Sequence, residues 1–254
     1  MNPAAGKLQV PMIGLGTYRL YDGECAEVVR TALQLGYRHL DTAAMYGNEA
    51  QVGTGIAKSG VGREEIFLTT KVWPHNFRTR DFIDSAERSL SALRTDYVDL
   101  LLLHWPNDEV PLEEPLRALE TLIAQGKVKN GGVSNFSVRQ MAEAREIAGP
   151  AVSCNQVQCH IGAVPNDVLK YASEHEITVT AYSPLARGRI TKDAALNTIG
   201  RKYGMTSSQV ALRWMSQQGV AVIPKTRTRS RLEENLASSS FTLSDEDLDM
   251  LGRI

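Results

Sequence analysis

The chain is 254 residues long and 43% hydrophobic, enough to bury one large α/β core or two ordinary ones. A formal net charge of −1 excludes the strongly basic balance suited to nucleic acid or an anionic membrane surface. Three cysteines (Cys25, Cys154, Cys159) without CxxC or zinc-like spacing read as reduced thiols rather than a disulfide framework.

The opening "MNPAAGKLQV" has no apolar signal core, and no run approaches the ~18 apolar residues of a membrane span, so a cytoplasmic protein is expected. From there, short aliphatic or β-branched runs alternate with helix-like segments. The predicted strands are "MIGLG" (12–16), "YRHLD" (37–41), "IFLTTKV" (66–72) and "YVDLLLLH" (97–104). They continue with "VKNGGVS" (128–134), "VSCNQVQ" (152–158), "ITVTAYS" (177–183) and "VAVIP" (220–224). Between them, "TRDFIDSAERSLSAL" repeats Phe82, Ile83, Ala86, Leu90 and Leu93 at helical spacing. "PNDVLKYASEH" and "TSSQVALRWMSQQG" read the same way, the second closing on a glycine. In "TLSDEDLDMLGRI", Ser244 is a good N-cap, with Leu248 and Leu251 apolar on the helix it starts. The pattern predicts an α/β fold: a single (β/α)8 TIM barrel domain over residues 1–254, with an extra C-terminal helix outside the barrel. A doubly wound sheet is the runner-up. However, "GLGTYR" lacks the third glycine of a dinucleotide fingerprint, and "GTGIAK" falls inside a helix.

In such a barrel, chemistry collects at the C-terminal strand ends. Strand two ends in Asp41 with Tyr46 just beyond, strand three at Lys71, and strand four at His104. Singly, each has a bland reading as a loop cap, a solvated lysine, a rim aromatic or a satisfied histidine. Together they form a coherent set. A phenol is a weak acid at neutral pH, and a lysine cation beside it favours the phenolate and lowers its pKa. An aspartate would hold that lysine, and a histidine would orient a carbonyl oxygen. Metal hydrolysis is the competing use of a barrel rim, but His39, Asp41 and His104 make an incomplete ligand set, so no metal is expected. Later strand ends offer Ser134, Asn135 and Gln156 to hold a carboxamide-bearing ring, and Tyr182 to stack on it. Lys225, Arg227, Arg229 and Arg231 follow strand eight, where barrels commonly bind phosphate.

"GLGTY", "GYRHLDTAAMYGNE", "TTKVWP", "LLLHWP", "GVSNF", "NQ", "YSPL" and "IPKTRTRSRLEEN" together resemble the aldo-keto reductase family nearly end to end, in order and spacing. The resemblance implies NADPH-dependent reduction of small aldehydes and ketones on a barrel without a Rossmann domain. The likeness is greatest to small bacterial reductases of 2,5-diketo-gluconate and methylglyoxal. It implies a catalytic set of Asp41, Tyr46, Lys71 and His104, with Tyr46 as proton donor. It places Ser134, Asn135 and Gln156 at the nicotinamide carboxamide and Tyr182 on the ring. Gly16, Thr17, Tyr18, Ser183 and Leu185 line the NADP path. Lys225, Thr226 and Arg231 fall at the adenosine 2′-phosphate, with Glu234 and Asn235 near the adenine. Tyr18, Trp73 and Trp105 face the substrate.

Departures are Tyr18 where many relatives have tryptophan, Thr226 for serine, "NQVQCHIGAV" for "NQVEYHP", and a short segment after "YSPLARG" that suggests a reduced loop over the cofactor. Two other classes stand beside this reading: a redox-inactive relative serving as a binding or structural subunit, and a metal-dependent hydrolase. A monomer acting on a small-molecule carbonyl is expected, with no nucleic-acid or membrane partner. Relatives commonly continue into a C-terminal loop across the pocket mouth, and the sequence does not decide between a naturally short chain and an omitted loop. If the loop is absent, an open pocket and weak binding of small carbonyls are expected.

Overall fold

The computed structural model describes residues 7–254. Its first half runs β1 (Leu15–Gly16), α1 (Asp22–Leu35), β2 (His39–Asp41), α2 (Glu49–Ser59), β3 (Phe67–Val72), α3 (Thr79–Leu93), β4 (Val98–Leu103) and α4 (Glu113–Ala124). The second half runs β5 (Val128–Ser134), α5 (Val138–Ala148), β6 (Cys154–Gln158), α6 (Asn166–Glu174) and β7 (Thr178–Tyr182). It ends with α7 (Ala194–Tyr203), α8 (Ser207–Gln217), β8 (Ala221–Val222), α9 (Arg229–Leu236) and α10 (Asp245–Leu251). The strands are parallel and pair in sequence order. Ile13 bridges Val222 in parallel, with Gly14 N donating to Val222 O and Val222 N to Met12 O, both at 2.8 Å. This contact closes the sheet, so the barrel presents no open edge.

Strand alternation divides the barrel interior into two zones. Leu100, Leu102 and Cys154 pack together with Phe67 and Leu8 as an apolar plug at the N-terminal end. Two or four residues further along the same faces stand Lys71, His104 and Gln156. The intervening residues, such as Leu101, Leu103 and Val133, join the large core between sheet and helices. β3, β4 and β6 thus each bring a polar residue inward at or just past their C-terminal ends, above the apolar plug. Gly132 in β5 meets a crowding constraint: a Cβ there would lie 2.5 Å from Cys154 O and 2.9 Å from Leu102 Cδ2.

Helix boundaries follow local chemistry. α3 spans the whole of "TRDFIDSAERSLSAL", and Ser244 caps α10 by accepting from Asp247 N. Leu251 is buried and Leu248 packs against the core, seating α10 outside the barrel as expected. Strand ends differ more from expectation. Tyr37 belongs to the close of α1, where Gly36 adopts φ 109° and Tyr37 N bonds Ala32 O. β1 and β8 keep only two ladder residues each, because their flanks bond irregularly, Gly16 N to Pro224 O and Ile223 N to Ala181 O. β7 is followed by a 3-10 stretch (Ala186–Lys192) and then α7, capped by Asp193. Among the described residues, no helix is long and apolar enough to cross a membrane, and all three cysteines are buried and unpaired.

Candidate active site

At the C-terminal mouth of the barrel, Lys71 is fully buried, with Asp41 beside it. Its ammonium donates to Asp41 Oδ1 (2.7 Å), to the backbone oxygen of Thr42 (2.8 Å) and to Tyr46 Oη (3.4 Å), which uses all three protons. The other carboxylate oxygen of Asp41 accepts from Gln156 Nε2 at 2.7 Å. A buried ion pair is tolerable only when such additional bonds satisfy it. Burial works against the ammonium, but the charge and hydrogen bond of Asp41, with Tyr46, outweigh it and hold Lys71 above the usual lysine range.

Tyr46 answers differently from the expectation. Burial pushes its phenol up, and the attraction of Lys71 for the phenolate only limits the rise. The lysine therefore opposes desolvation without overcoming it, and the phenol holds its proton at neutral pH. His104 packs edge-on against Tyr46 (centroids 5.7 Å) and Trp73 (5.1 Å). Burial and then Lys71 depress its imidazole to about 3, so the ring is neutral. Its Nδ1 is buried and has no hydrogen-bond partner among the described residues.

The neighbouring strand ends form one connected network. Ser134 Oγ donates to Gln156 O (2.9 Å), Asn135 Nδ2 to Ser134 Oγ (3.0 Å) and His104 O (3.1 Å), and Tyr182 Oη to Asn135 Oδ1 (2.9 Å). Asn135 and Ser183 take left-handed φ of 64° and 51° directly after β5 and β7. Non-glycine residues there concentrate at functional loops. On the opposite side, Thr17 bonds Asp41 O through both N and Oγ1, and Tyr18, 46% exposed, lies 5.0 Å from the Tyr46 ring. Sequence reasoning missed Asn48. It donates to Thr17 O and Leu20 O and accepts from Thr42 Oγ1, stapling the loop that carries Tyr18 to the loop that carries Tyr46. Its only signal was its place within "MYGNE".

The basic run after β8 separates into two kinds. Arg227 pairs with Glu24 and donates to Arg19 O, while Arg229 pairs with Glu233. Lys225 and Arg231 have no ion pair among the described residues. Burial, then the like charges of Arg227, Arg19 and Arg231, pull Lys225 below the lysine range. Thr226 is buried at the start of the loop, its Oγ1 accepting from Thr228 N. Asn235 is buried, and Glu234 is held by Thr206 Oγ1 at 2.5 Å. Gly16 is tied to Pro224, and Leu185 and Ser183 open the 3-10 stretch after β7. Trp105 is 42% exposed at the mouth. Among the described residues no group of three or more His, Cys, Asp or Glu could hold a metal. His39 lies low in the barrel, its Nδ1 against Pro11 O.

The barrel and this set of strand-end groups define an oxidoreductase of the aldo/keto reductase class. The Aldo/keto reductase family model matches residues 12–254, and the chain belongs to that family. It is 42% identical over 243 residues to methylglyoxal reductase DkgB of Escherichia coli O157:H7, covering 94% of this chain and 91% of that protein. It is 39% identical over 245 residues to glyoxal reductase of Bacillus subtilis, covering 96% and 88%. A crystal structure provisionally assigned as 2,5-diketo-D-gluconic acid reductase B superposes with a TM-score of 0.94 at 44% identity, covering 96% of this chain and 87% of that one. Carbonyl reduction is the chemistry this kinship supports.

The neutral His104 has a stability signature. Its folded pKa of about 3 lies below the ordinary 6.5, so between these values the unfolded chain takes up a proton that the native chain refuses. This contribution makes the protein less stable as pH falls from 6.5 toward 3, by about 2 kcal/mol at pH 5. Urea unfolding at pH 7 and pH 5 should show wild type losing about 2 kcal/mol more than His104→Gln. Equal losses would mean that the imidazole is not held neutral.

Proposed function

We propose that the chain is a single-domain, monomeric reductase of small aldehydes, ketones and dicarbonyls that uses NADPH, with Tyr46 as the proton donor. The observation that carries this reading is the buried Lys71 ammonium, 2.7 Å from Asp41 and 3.4 Å from the Tyr46 hydroxyl.

The donor set fits the cofactor. Lys225 and Arg231 have no ion pair among the described residues, so an anion would relieve their mutual repulsion, and α9 begins beside them with its amide groups uncapped by a side chain. Ser134, Asn135 and Gln156 would hold the nicotinamide carboxamide, with Tyr182 against the ring and Gly16, Thr17, Ser183 and Leu185 along its path. Glu234 and Asn235 would lie near the adenine. When bound, NADPH supplies the hydride that the carbonyl carbon receives.

The residues of the chain then divide the remaining work. As charge grows on the carbonyl oxygen, Tyr46 Oη transfers its proton to it. Lys71 stabilises the phenolate left behind, and Asp41 keeps Lys71 in place and charged. His104, neutral near pH 7, has no proton to give as an acid at that pH. Its Nε2–H orients the carbonyl oxygen toward Tyr46. Tyr18, Trp73 and Trp105 border the space where the substrate stands. Kinship with methylglyoxal and glyoxal reductases supports small, reactive carbonyls as substrates.

Following NADPH absorbance with methylglyoxal, Tyr46→Phe should fold normally and lose about 10²-fold or more in turnover. Near-normal turnover would remove Tyr46 from the role of acid. For the cofactor, Arg231→Ala should weaken NADPH binding about tenfold or more, the effect of one lost charge-assisted contact, and leave NADH binding unchanged. Equal weakening of both would make Arg231 structural.

A further inference from the structure

Most neighbouring helices around the barrel pack against one another, from α1 through α6 and again from α7 through α9 back to α1. Among the described residues α6 and α8 pack less closely than these pairs. α6 rests on β7 and α8 on β8, and the two leave a cleft over the outer face of β7. The cleft encloses about 420 Å³, within the range of ordinary ligand pockets, and shares no residue with the mouth described above. Its floor is apolar: Ile177 and Val179 from β7 and its approach, Met215 and Trp214 from α8, and Val220 before β8. Its rim carries Lys7 and Lys170, both exposed, and no carboxylate lines it. Neither lysine forms an ion pair among the described residues, although Asp167 and Glu174 stand one turn to either side of Lys170 on α6.

We propose that this cleft is a second ligand site, which takes a small amphipathic carboxylate with its apolar body along β7 and its anionic head between Lys7 and Lys170. The apolar floor contributes affinity by removing an alkyl or aryl body from water. The two cations select the sign of the head group, because lysine stems lie along apolar surface while their ammonium groups stay at the rim. An alcohol of the same body would forgo the charge interaction, and an amine would be repelled. Occupancy would raise the melting temperature, since the ligand binds the native chain and not the unfolded one. This site stands apart from the reductase reading and does not depend on it.

The probe is decanoate, with decanol and decylammonium as controls, measured by calorimetry and by emission of Trp214 in a Trp73→Phe/Trp105→Phe background. Decanoate should bind saturably and raise the melting temperature, with decylammonium at least about tenfold weaker. Lys7→Glu/Lys170→Glu, at two exposed positions, should weaken decanoate about tenfold or more and leave decanol unchanged. Ser173→Trp, an exposed α6 position that lines the cleft, should block all three probes. No saturable binding to wild type, equal binding to the double variant, or equal binding of decylammonium would each overturn the assignment.

Discussion

The mouth of this barrel depends on one buried ion pair. Lys71 and Asp41 have left water almost completely, and neither would be tolerated there alone. What makes the pair stable is completeness: three protons have three acceptors, and the second carboxylate oxygen has Gln156. The same bonds fix position. Asp41 sits on β2, Lys71 on β3 and Gln156 on β6, so one carboxylate ties together three strands of the wall. Through Gln156 O, the connection runs on to Ser134, Asn135, His104 and Tyr182.

This pair also shapes the electrostatics of the site. Burial lowers the imidazole of His104, and a cation that stays charged in the interior adds to that shift while opposing the effect of burial on the phenol of Tyr46. The imidazole is left neutral, and the phenol keeps its proton at neutral pH. Two rings at one rim thus differ in protonation behaviour because their surroundings differ.

Much of this was legible in the sequence because strand alternation is a rigid rule. Once "VDLLLL" is read as a strand, its inward and outward leucines and the inward aim of the next residue, His104, follow without tertiary information. Asp41 and Lys71 were found the same way, and α3 and α10 through their spacing and caps. What escaped depended on contacts between distant segments. Asn48 looks like an ordinary turn residue until the β1 and β2 loops are brought together. The net direction of the shift at Tyr46 depends on how deeply the ring is buried, which residue type does not reveal. The left-handed turn at Ala186, Arg187 and Gly188 that separates β7 from α7 likewise has no clear mark in residue type, since only one of the three is glycine.

The central claim is that the Lys71 cation, held by Asp41, restrains the rise of the Tyr46 phenol. The direct measurement is a ¹³C NMR titration of Cζ-labelled Tyr46 in wild type and in Asp41→Asn/Lys71→Met, which removes both charges so that neither is left unpaired. Burial is retained in the double variant, and Lys71 acts on the phenol more strongly than Asp41. Tyr46 should therefore titrate at a higher pKa in the variant than in wild type. A pKa that stays the same or falls would contradict it.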